Sequence, residues 1–437
     1  MSFSIAFTQP TFARFLVLCV GAILARGRRT VTRMLWAART LVRGHPSSYH
    51  RLFSRAVWHL WPLGRLLAKA ILLWLAPDEP IVVPIDDTTA QHRGKKVYGK
   101  GCHHDAVRSA HRHVVYRWGH RWVVLAITVR LPFTSRVWAL PVLAALYRPK
   151  DLDAREGRRH KTAPQLARGL MATLMHWFPD RTFLFVGDGG YASHDLAGFC
   201  HRHGKRAGLV SRFHGDANLY APPLPRRKPK AGRPRVKGRK LPTPAQKVAR
   251  SRLQEATVGW YGGAMRRVAL LSGTGGWYKA GRGLVPVRWV YVKDLDGTHR
   301  DEYFYSTRLT LTAEEIVTLY TRRWSIETTF QEMRAELGFE TTRQRVKRSV
   351  LRTAPCLLGL FSVVSLIFAE HARRFRVSAA QRPWYRKAEP TFSDAMAQVR
   401  QLFWTETVLR RPSHREAFQK LPPQLRHLLL DCLSQAA

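Results

Sequence analysis

Negative charge is scarce in this chain. Its 437 residues include 29 Asp and Glu against 73 Lys and Arg, which gives a formal net charge of +44 at pH 7. Such an excess of one sign indicates binding to a polyanion, and nucleic acid is the simplest candidate. An enzyme that acts on small neutral molecules has no use for so strong a field, so that class is disfavoured.

Cysteine is also scarce. The five cysteines are scattered, odd in number and without a Cys-x-x-Cys pair, which argues against a disulfide framework or a zinc finger and indicates a reducing compartment. Cysteine and histidine come together twice, but neither group has the spacing of a closed four-ligand zinc site, and we interpret both as basic surface residues near nucleic acid. The groups are Cys102, His103, His104, His111 and His113, and Cys200, His201 and His203.

Hydrophobic runs of membrane-spanning length are missing. Residues 15–25 form an apolar run without a signal-peptidase cleavage pattern, and residues 353–369 are uncharged but contain Pro355. Both runs are shorter than the roughly 20 residues that a spanning helix needs. We therefore predict two buried helices and a cytoplasmic, nucleoid-associated protein.

Apolar and aromatic side chains, by contrast, are plentiful. The chain is 45% hydrophobic and holds 14 Trp, 20 Phe and 13 Tyr, which excludes general disorder, and its length suggests about three domains. Residues 1–77 are rich in Leu, Arg and Trp at helical spacing and predict a helical domain that binds DNA. The segment Pro77-Asp-Glu-Pro80 marks its end.

Strands and helices alternate from residue 78 to residue 213. Residues 81–85 and 122–129 are β-branched and apolar, and residues 182–186 form an unbroken apolar run typical of a strand covered on both faces. This alternation predicts an α/β fold, a mixed sheet flanked by helices. Residues 305–375 are predicted to complete this core, and residues 376–437 to form a C-terminal helical region.

Residues 214–304 interrupt the core as a β-rich insertion, whose last two strands form a hairpin around Asp296-Gly297. Part of it has almost nothing apolar to bury, since residues 226–240 hold nine Lys and Arg among Pro and Gly. The segment is either a solvated basic loop or an arm that contacts DNA, and we favour the arm because its charge is so one-sided. Its predicted DNA contacts are Arg226, Arg227, Lys228, Arg233 and Arg235.

A helix that begins after Thr312 carries two stripes. Thr312 and Glu315 form a capping box, and apolar residues at steps of three and four indicate a face turned to the core. Beside that face runs a second stripe, which is either a solvated face with ordinary ion pairs or a functional surface centred on a glutamate. Its members are Tyr320, Arg323, Glu327, Gln331 and Arg334.

Aspartates follow two predicted strands. The first strand ends in Asp86-Asp87-Thr88-Thr89, and a later one ends in Gly187-Asp188-Gly189-Gly190-Tyr191. Ligands of α/β sheets gather at the carboxyl ends of strands. Either aspartate alone is more often a turn residue or a helix cap.

The three patterns together resemble the bacterial insertion-sequence transposases of the DDE class. The resemblance rests on Asp-Thr-Thr, Asp-x-x-Tyr and the helical Tyr-x2-Arg-x3-Glu-x6-Lys/Arg signature, and it runs from about residue 81 to residue 334. Arg334 stands where the family usually has lysine. The resemblance implies a ribonuclease H-like core with a β-rich insertion.

The resemblance also implies the residues of the site. Asp87, Asp188 and Glu327 would hold two Mg²⁺ ions, for which Mn²⁺ would substitute, because carboxylates are hard oxygen ligands. Asp86 is the alternative to Asp87, since adjacent residues of a strand point to opposite faces. Tyr320, Arg323 and Arg334 would contact phosphates of the transposon ends, whereas Tyr191 is more simply a packing residue.

The implied function is that of a transposase acting on double-stranded DNA. It would bind terminal inverted repeats as a homodimer in a synaptic complex, cleave the transposon ends and join the 3′-OH ends to target DNA. Two alternatives remain open: a non-catalytic, domesticated relative that acts as a repressor, and a ribonuclease H-like nuclease for branched DNA.

Overall fold

The computed structural model describes residues 3–104, 109, 113–224, 235–379, 381, 385–407 and 412–434. Of the predicted DNA contacts in the insertion, Arg235 lies within these ranges and is exposed. Arg226, Arg227, Lys228 and Arg233, and also His111, lie outside the described residues.

The N-terminal region is helical, and prolines place two of its helix starts. Pro46 is the first residue of α3 and Pro62 lies in the first turn of α4, where the missing N–H of proline costs nothing. The four helices are α1 (Gln9–Leu24), α2 (Val31–Ala37), α3 (Pro46–Ser54) and α4 (Leu60–Leu72).

The central sheet begins with six strands. Its main strands lie in the order β4-β3-β1-β5-β6, with β3 antiparallel to both neighbours and β1, β5 and β6 parallel. This is the strand order of a ribonuclease H-like core, so the predicted fold class is confirmed. The strands are β1 (Ile81–Gln91), β2 (Gly101–His104), β3 (Tyr116–Arg130), β4 (Val137–Tyr147), β5 (Phe183–Gly187) and β6 (Ala207–Arg212), with helices α5 (Lys150–Arg155), α6 (Ala163–Trp177) and α7 (His194–Arg202) between them.

The insertion extends this sheet. Its strand β11 pairs antiparallel with β6, and β10 and β9 follow outward, so eleven strands form one continuous sheet. The turn between β10 and β11 contains Gly297 at a positive φ of 70°, as the predicted hairpin requires. The elements are β7 (Leu219–Tyr220), α8 (Pro244–Val248), β8 (Gln254–Gly259), β9 (Met265–Lys279), β10 (Gly283–Asp294) and β11 (Glu302–Ser306).

The boundary that we predict at residue 304 lies where the insertion meets the core sheet. It falls inside β11, and β11 is the strand that joins the insertion to β6 of the core. Strand pairing that links residues about 95 positions apart leaves no local mark in the sequence. The insertion is thus an extension of the core sheet.

The helix predicted after Thr312 is two helices, α9 (Ala313–Arg322) and α10 (Ser325–Glu336). The capping box of Thr312 and Glu315 is present in both directions. At the junction the chain tightens, because the amides of Arg323, Ile326 and Glu327 each bond to a carbonyl three residues back. The polar stripe therefore runs across a joint between two helices.

Three further helices and the long α11 (Lys347–Arg374) complete the chain: α12 (Phe392–Thr407), α13 (Pro412–Gln419) and α14 (Pro423–Ser434). Within the described ranges, α11 is the one helix whose length and composition would allow it to cross a bilayer. It packs against β4, α3, α4 and α12, and Ser362 donates a hydrogen bond to the carbonyl of Pro141.

The two faces of the sheet have different partners near the middle of β1, which continues past Asp86 to Gln91, and the carboxyl end of β5. Leu184, Val186 and Val210 pack with Ile316 and Val317 of α9. Because side chains alternate along a strand, Phe183 and Phe185 point to the other face, where they belong to the larger core. The face turned to α9 and α10 carries the candidate site.

A substitution at Gly187 tests how tightly the end of β5 is packed. A Cβ at Gly187 would lie 2.6 Å from Cβ of Tyr191, so Gly187→Ala must displace the turn that contains Asp188. We expect a loss of about 1–3 kcal/mol in the free energy of unfolding. Urea unfolding measures this loss.

The matched control is Gly169→Ala in α6, where an added Cβ meets no atom within 4 Å. A helical glycine replaced by alanine should stabilise the protein by roughly 0.5–1 kcal/mol. Equal urea midpoints for Gly187→Ala and wild type would show that the turn adjusts freely.

Candidate active site

Asp86 and Asp188 lie side by side on one face of the sheet. β1 and β5 are parallel with Ile85 beside Gly187, so Asp86 of β1 stands beside Asp188, the residue that follows β5. Residues in register on adjacent strands point to the same face, and neighbouring strands are roughly 4.8 Å apart. Counting back along β5, Leu184 and Val186 share that face with Asp188, and both pack against α9.

Asp87 points to the opposite face and is fully engaged there. Arg121 of β3 holds it with two bonds, Nε to Oδ2 at 2.5 Å and Nη2 to Oδ1 at 2.8 Å, and the hydroxyl of Tyr191 donates to Oδ1 at 3.2 Å. The choice of Asp87 from the sequence is therefore corrected: Asp86 is the aspartate of β1 that lies with Asp188. The physical reason is the alternation of β1 combined with its register against β5.

Glu327 is joined to this pair through Arg323. The guanidinium donates from Nη1 to Oδ2 of Asp86 and from Nη2 to Oε1 of Glu327, both at 2.8 Å. Arg323 is only 7% exposed. A buried guanidinium with two carboxylate partners is a strong, directional bridge, and it fixes where both carboxylates point.

Tyr320 supports the same guanidinium from inside the protein. Its ring centre lies 5.6 Å from the guanidinium carbon of Arg323 and 6.0 Å from that of Arg212. The residue is 2% exposed, and its ring packs on Phe304 at 4.2 Å. The structure thus places Tyr320 beneath the site, as a support for Arg323.

Arg334 is the exposed member of the three predicted phosphate contacts. Its Nη2 donates to the Thr88 hydroxyl and, at 3.4 Å, to the Thr89 carbonyl, and its Nε lies 3.5 Å from Glu340. The guanidinium therefore rests on the two threonines that follow the aspartates. Both threonine contacts come from Nη2 while Nε faces Glu340, so the planar guanidinium uses two nitrogens at once, which a lysine with its single nitrogen could not reproduce.

Within the carboxylate cluster of Asp86, Asp188 and Glu327, Asp86 has a shifted pKa. Burial raises the pKa of the Asp86 carboxyl to about 7; the charges of Asp188 and Asp87 add to this effect, and Arg323 opposes it. Burial, with the neighbouring charge of Asp87, also raises the pKa of the Tyr191 phenol. Because the buried charge of Asp86 is only partly balanced, an additional cation would be stabilised beside it.

The carboxylates do not close on a common point in this conformation. No group of three or more His, Cys, Asp or Glu side chains in the described part of the chain is arranged to hold a metal ion. The guanidinium of Arg323 instead lies between Asp86 and Glu327, where it takes the place of a metal ion. The donor chemistry fits Mg²⁺, since Asp86, Asp188 and Glu327 offer hard oxygen ligands around a buried negative charge.

The cysteine and histidine groups are spread over different surfaces. Cys102 and His104 are exposed on one face of β2, whereas His103 is buried on the other. Cys200 is buried, and burial raises the pKa of its thiol. His203 binds the carbonyl of Phe199.

Sequence reasoning missed Arg121 and Arg212. Arg121 stands opposite Thr89 in the β1–β3 register, and Arg212 is the last residue of β6. Neither belongs to a local motif, so only the sheet pairing reveals them. The polar stripe, by contrast, was enough to single out Arg323 and Glu327.

The comparisons with known proteins bear on this site. A family model described as a DDE superfamily endonuclease matches residues 2–267, and a second, described as the archaeal putative transposase ISC1217, matches residues 276–368. No curated protein matches the sequence. Among solved structures the chain is similar to a cryo-EM structure of the piggyBac transposase synaptic complex with hairpin DNA, at 12% identity and a TM-score of 0.43, over 98% of this chain and 76% of that one.

The structural similarity is weak, whereas the family models identify the family. The first covers more than half of the 437 residues and includes Asp86 and Asp188, and the second includes Glu327. These are the three carboxylates that the fold places on one side of the sheet. The chain therefore belongs to the DDE superfamily of endonucleases.

Proposed function

We propose that this protein is the transposase of an insertion sequence, which binds terminal inverted repeats, cleaves DNA at the transposon ends and transfers the 3′-OH ends to target DNA. The observation that carries the proposal is the placement of Asp86, Asp188 and Glu327 on one face of a ribonuclease H-like sheet. The net charge of +44 supplies the attraction to DNA that such a reaction needs.

Asp86, Asp188 and Glu327 are the proposed ligands of two Mg²⁺ ions, for which Mn²⁺ would substitute. Bound there, the ions would activate the attacking water or 3′-OH and stabilise the leaving oxygen. Arg323 is a positioning residue that orients Asp86 and Glu327, and Tyr320 in turn supports Arg323. Tyr191 and Arg121 hold Asp87 and so fix the middle of β1 from the other face.

Contacts with DNA are proposed for exposed cations. Arg334 is 37% exposed at the rim of the carboxylate cluster, and Arg235 is exposed in the insertion. Both would bind phosphates, which position DNA without reading its sequence. Pairing of two transposon ends implies a homodimer in the synaptic complex, and action on genomic DNA implies a place at the nucleoid.

The roles of the adjacent aspartates can be separated by substitution. We expect Asp86→Asn, like Asp188→Asn and Glu327→Gln, to reduce excision of a plasmid-borne element at least ~10³-fold, because each removes a charged metal ligand. Binding of end DNA should stay within about threefold of wild type. Excision assays and gel retardation measure the two effects.

Asp87→Asn is the matched control, one residue along the same strand. It leaves Arg121 without its charged partner, so we expect a lower melting temperature, with excision reduced only in proportion to the folded fraction. Full excision by Asp86→Asn together with loss of excision in a folded Asp87→Asn protein would contradict the assignment. Retained excision by Glu327→Gln would contradict the proposed function itself.

Chelation tests the metal requirement. With EDTA we expect cleavage of end DNA to stop while gel retardation persists, because phosphate contacts come from Lys and Arg. Added Mg²⁺ or Mn²⁺ should restore cleavage in the wild type and fail to do so in Asp188→Asn. Cleavage that continues in excess EDTA would refute a metal-dependent site.

A further inference from the structure

Two large aromatic side chains stand exposed on β3. Tyr116 is 64% and Trp118 is 58% exposed, and because they are two residues apart they lie on the same face of the strand. On the paired strand β2, His104 stands opposite Tyr116 and Cys102 opposite Trp118, and both are exposed as well. The result is an accessible aromatic surface on a two-stranded ribbon, where most proteins bury such rings.

Cations surround this surface. Nζ of Lys100 lies 5.2 Å from the ring centre of Trp118. An open groove of about 830 Å³ contains Trp118 and Tyr116 together with Arg93, Lys95 and Lys96. Among the described residues that line it there is no carboxylate. Aromatic rings interleaved with cations are the composition that binds single-stranded nucleic acid.

The surface lies on the same side of the sheet as the carboxylates. Asp86 stands opposite Val124 in the antiparallel register, Thr88 opposite Trp122 and Ala90 opposite His120. Trp118 is the next residue of β3 in that alternation, so its side chain points to the face of Asp86. Six residues of strand separate it from Val124, roughly 20 Å at about 3.3 Å per residue.

From this arrangement we propose that Tyr116 and Trp118, with Lys95, Lys96 and Lys100, form a platform on which unpaired bases of the DNA substrate stack. At a rise of about 3.4 Å per nucleotide, the platform is roughly six nucleotides from the carboxylate cluster. In a duplex the bases stack on one another and their faces are hidden, so the rings favour a segment whose strands have separated. The naming of DNA as the substrate rests on the proposed function.

Fluorescence anisotropy of the full chain tests this platform. The probes are a fluorescein-labelled 20-nucleotide single strand and the duplex of the same sequence, both in EDTA so that no cleavage occurs. We expect Trp118→Ala to weaken single-strand binding about tenfold and Tyr116→Ala/Trp118→Ala further, because each stacked base contributes substantially to affinity. Duplex affinity should stay within about twofold of wild type.

Phe375→Ala is the matched control, since Phe375 is 59% exposed just after α11. It should change neither affinity. Trp118→Phe keeps an aromatic face and should restore most of the single-strand binding, which a merely structural loss would not allow. Unchanged melting temperatures establish that all variants are folded.

Salt dependence separates the rings from the lysines. Lys95→Ala/Lys96→Ala should reduce the slope of log affinity against log salt by about one to two, whereas Trp118→Ala should leave the slope unchanged. Equal losses for single strand and duplex in Trp118→Ala would overturn the proposal, and so would single-strand binding as strong as in wild type.

The outcome is independent of catalysis. The same titrations with Asp86→Asn protein should still show the loss of single-strand preference when Trp118→Ala is added, because the platform is separate from the carboxylates. If excision proves absent in wild type while the single-strand preference depends on Trp118, the proposed function fails and the platform stands. If excision is normal while Trp118→Ala leaves single-strand binding unchanged, the platform fails and the proposed function stands.

Discussion

The bridge from Arg323 to Asp86 and Glu327 is the contact on which the candidate site depends. It links a strand of the central sheet to the joint between α9 and α10, across more than 200 residues of sequence. Three charged groups are removed from most of their water here, which is unfavourable unless each has a partner. Because Arg323 serves two carboxylates at once, the sheet and the helix pair hold a fixed relation at the point where the chemistry is proposed to occur.

The same bridge bears on the proposed metal binding. Arg323 takes Oδ2 of Asp86 and Oε1 of Glu327, so an ion that bound these two oxygens would compete with the guanidinium. Burial raises the pKa of Asp86 to about 7 although the charge of Arg323 opposes it, so Arg323 offsets only part of the effect of burial. The remaining negative potential of the aspartates lies within a strongly positive protein, which would draw the proposed DNA backbone to the rim and leave the centre to cations.

Much of this could be predicted from sequence because the signals are local. The capping box at Thr312, the spacing of Tyr320, Arg323 and Glu327, and the position of Asp188 after an apolar strand are all contained in short segments. The choice between Asp86 and Asp87 is different, because no short segment decides it. Residues 81–85 are apolar throughout, so the sequence does not show which face of the strand is buried, and the face of each aspartate is decided by the pairing of Ile85 with Gly187.

Tyr320 shows a second limit of the same kind. Helical periodicity correctly groups it with Arg323 and Glu327, but periodicity gives an angle around an axis and not the depth to which that side of the helix is buried. The depth follows from β11, whose Phe304 packs on the tyrosine ring and which reaches that place only by pairing with β6.

The insertion is for this reason part of the site and not an appendage. Gly259 at the end of β8 donates its amide to the hydroxyl of Thr318 and accepts a bond from the hydroxyl of Thr321, which fastens α9 just before its joint. Arg212 pairs with Glu302 of β11 beside the ring of Tyr320. DNA bound to the insertion would therefore affect the position of Arg323, because paired strands and the packed ring of Tyr320 connect the two. Its proposed part in DNA binding and its structural part in holding the carboxylates are then two consequences of one continuous sheet.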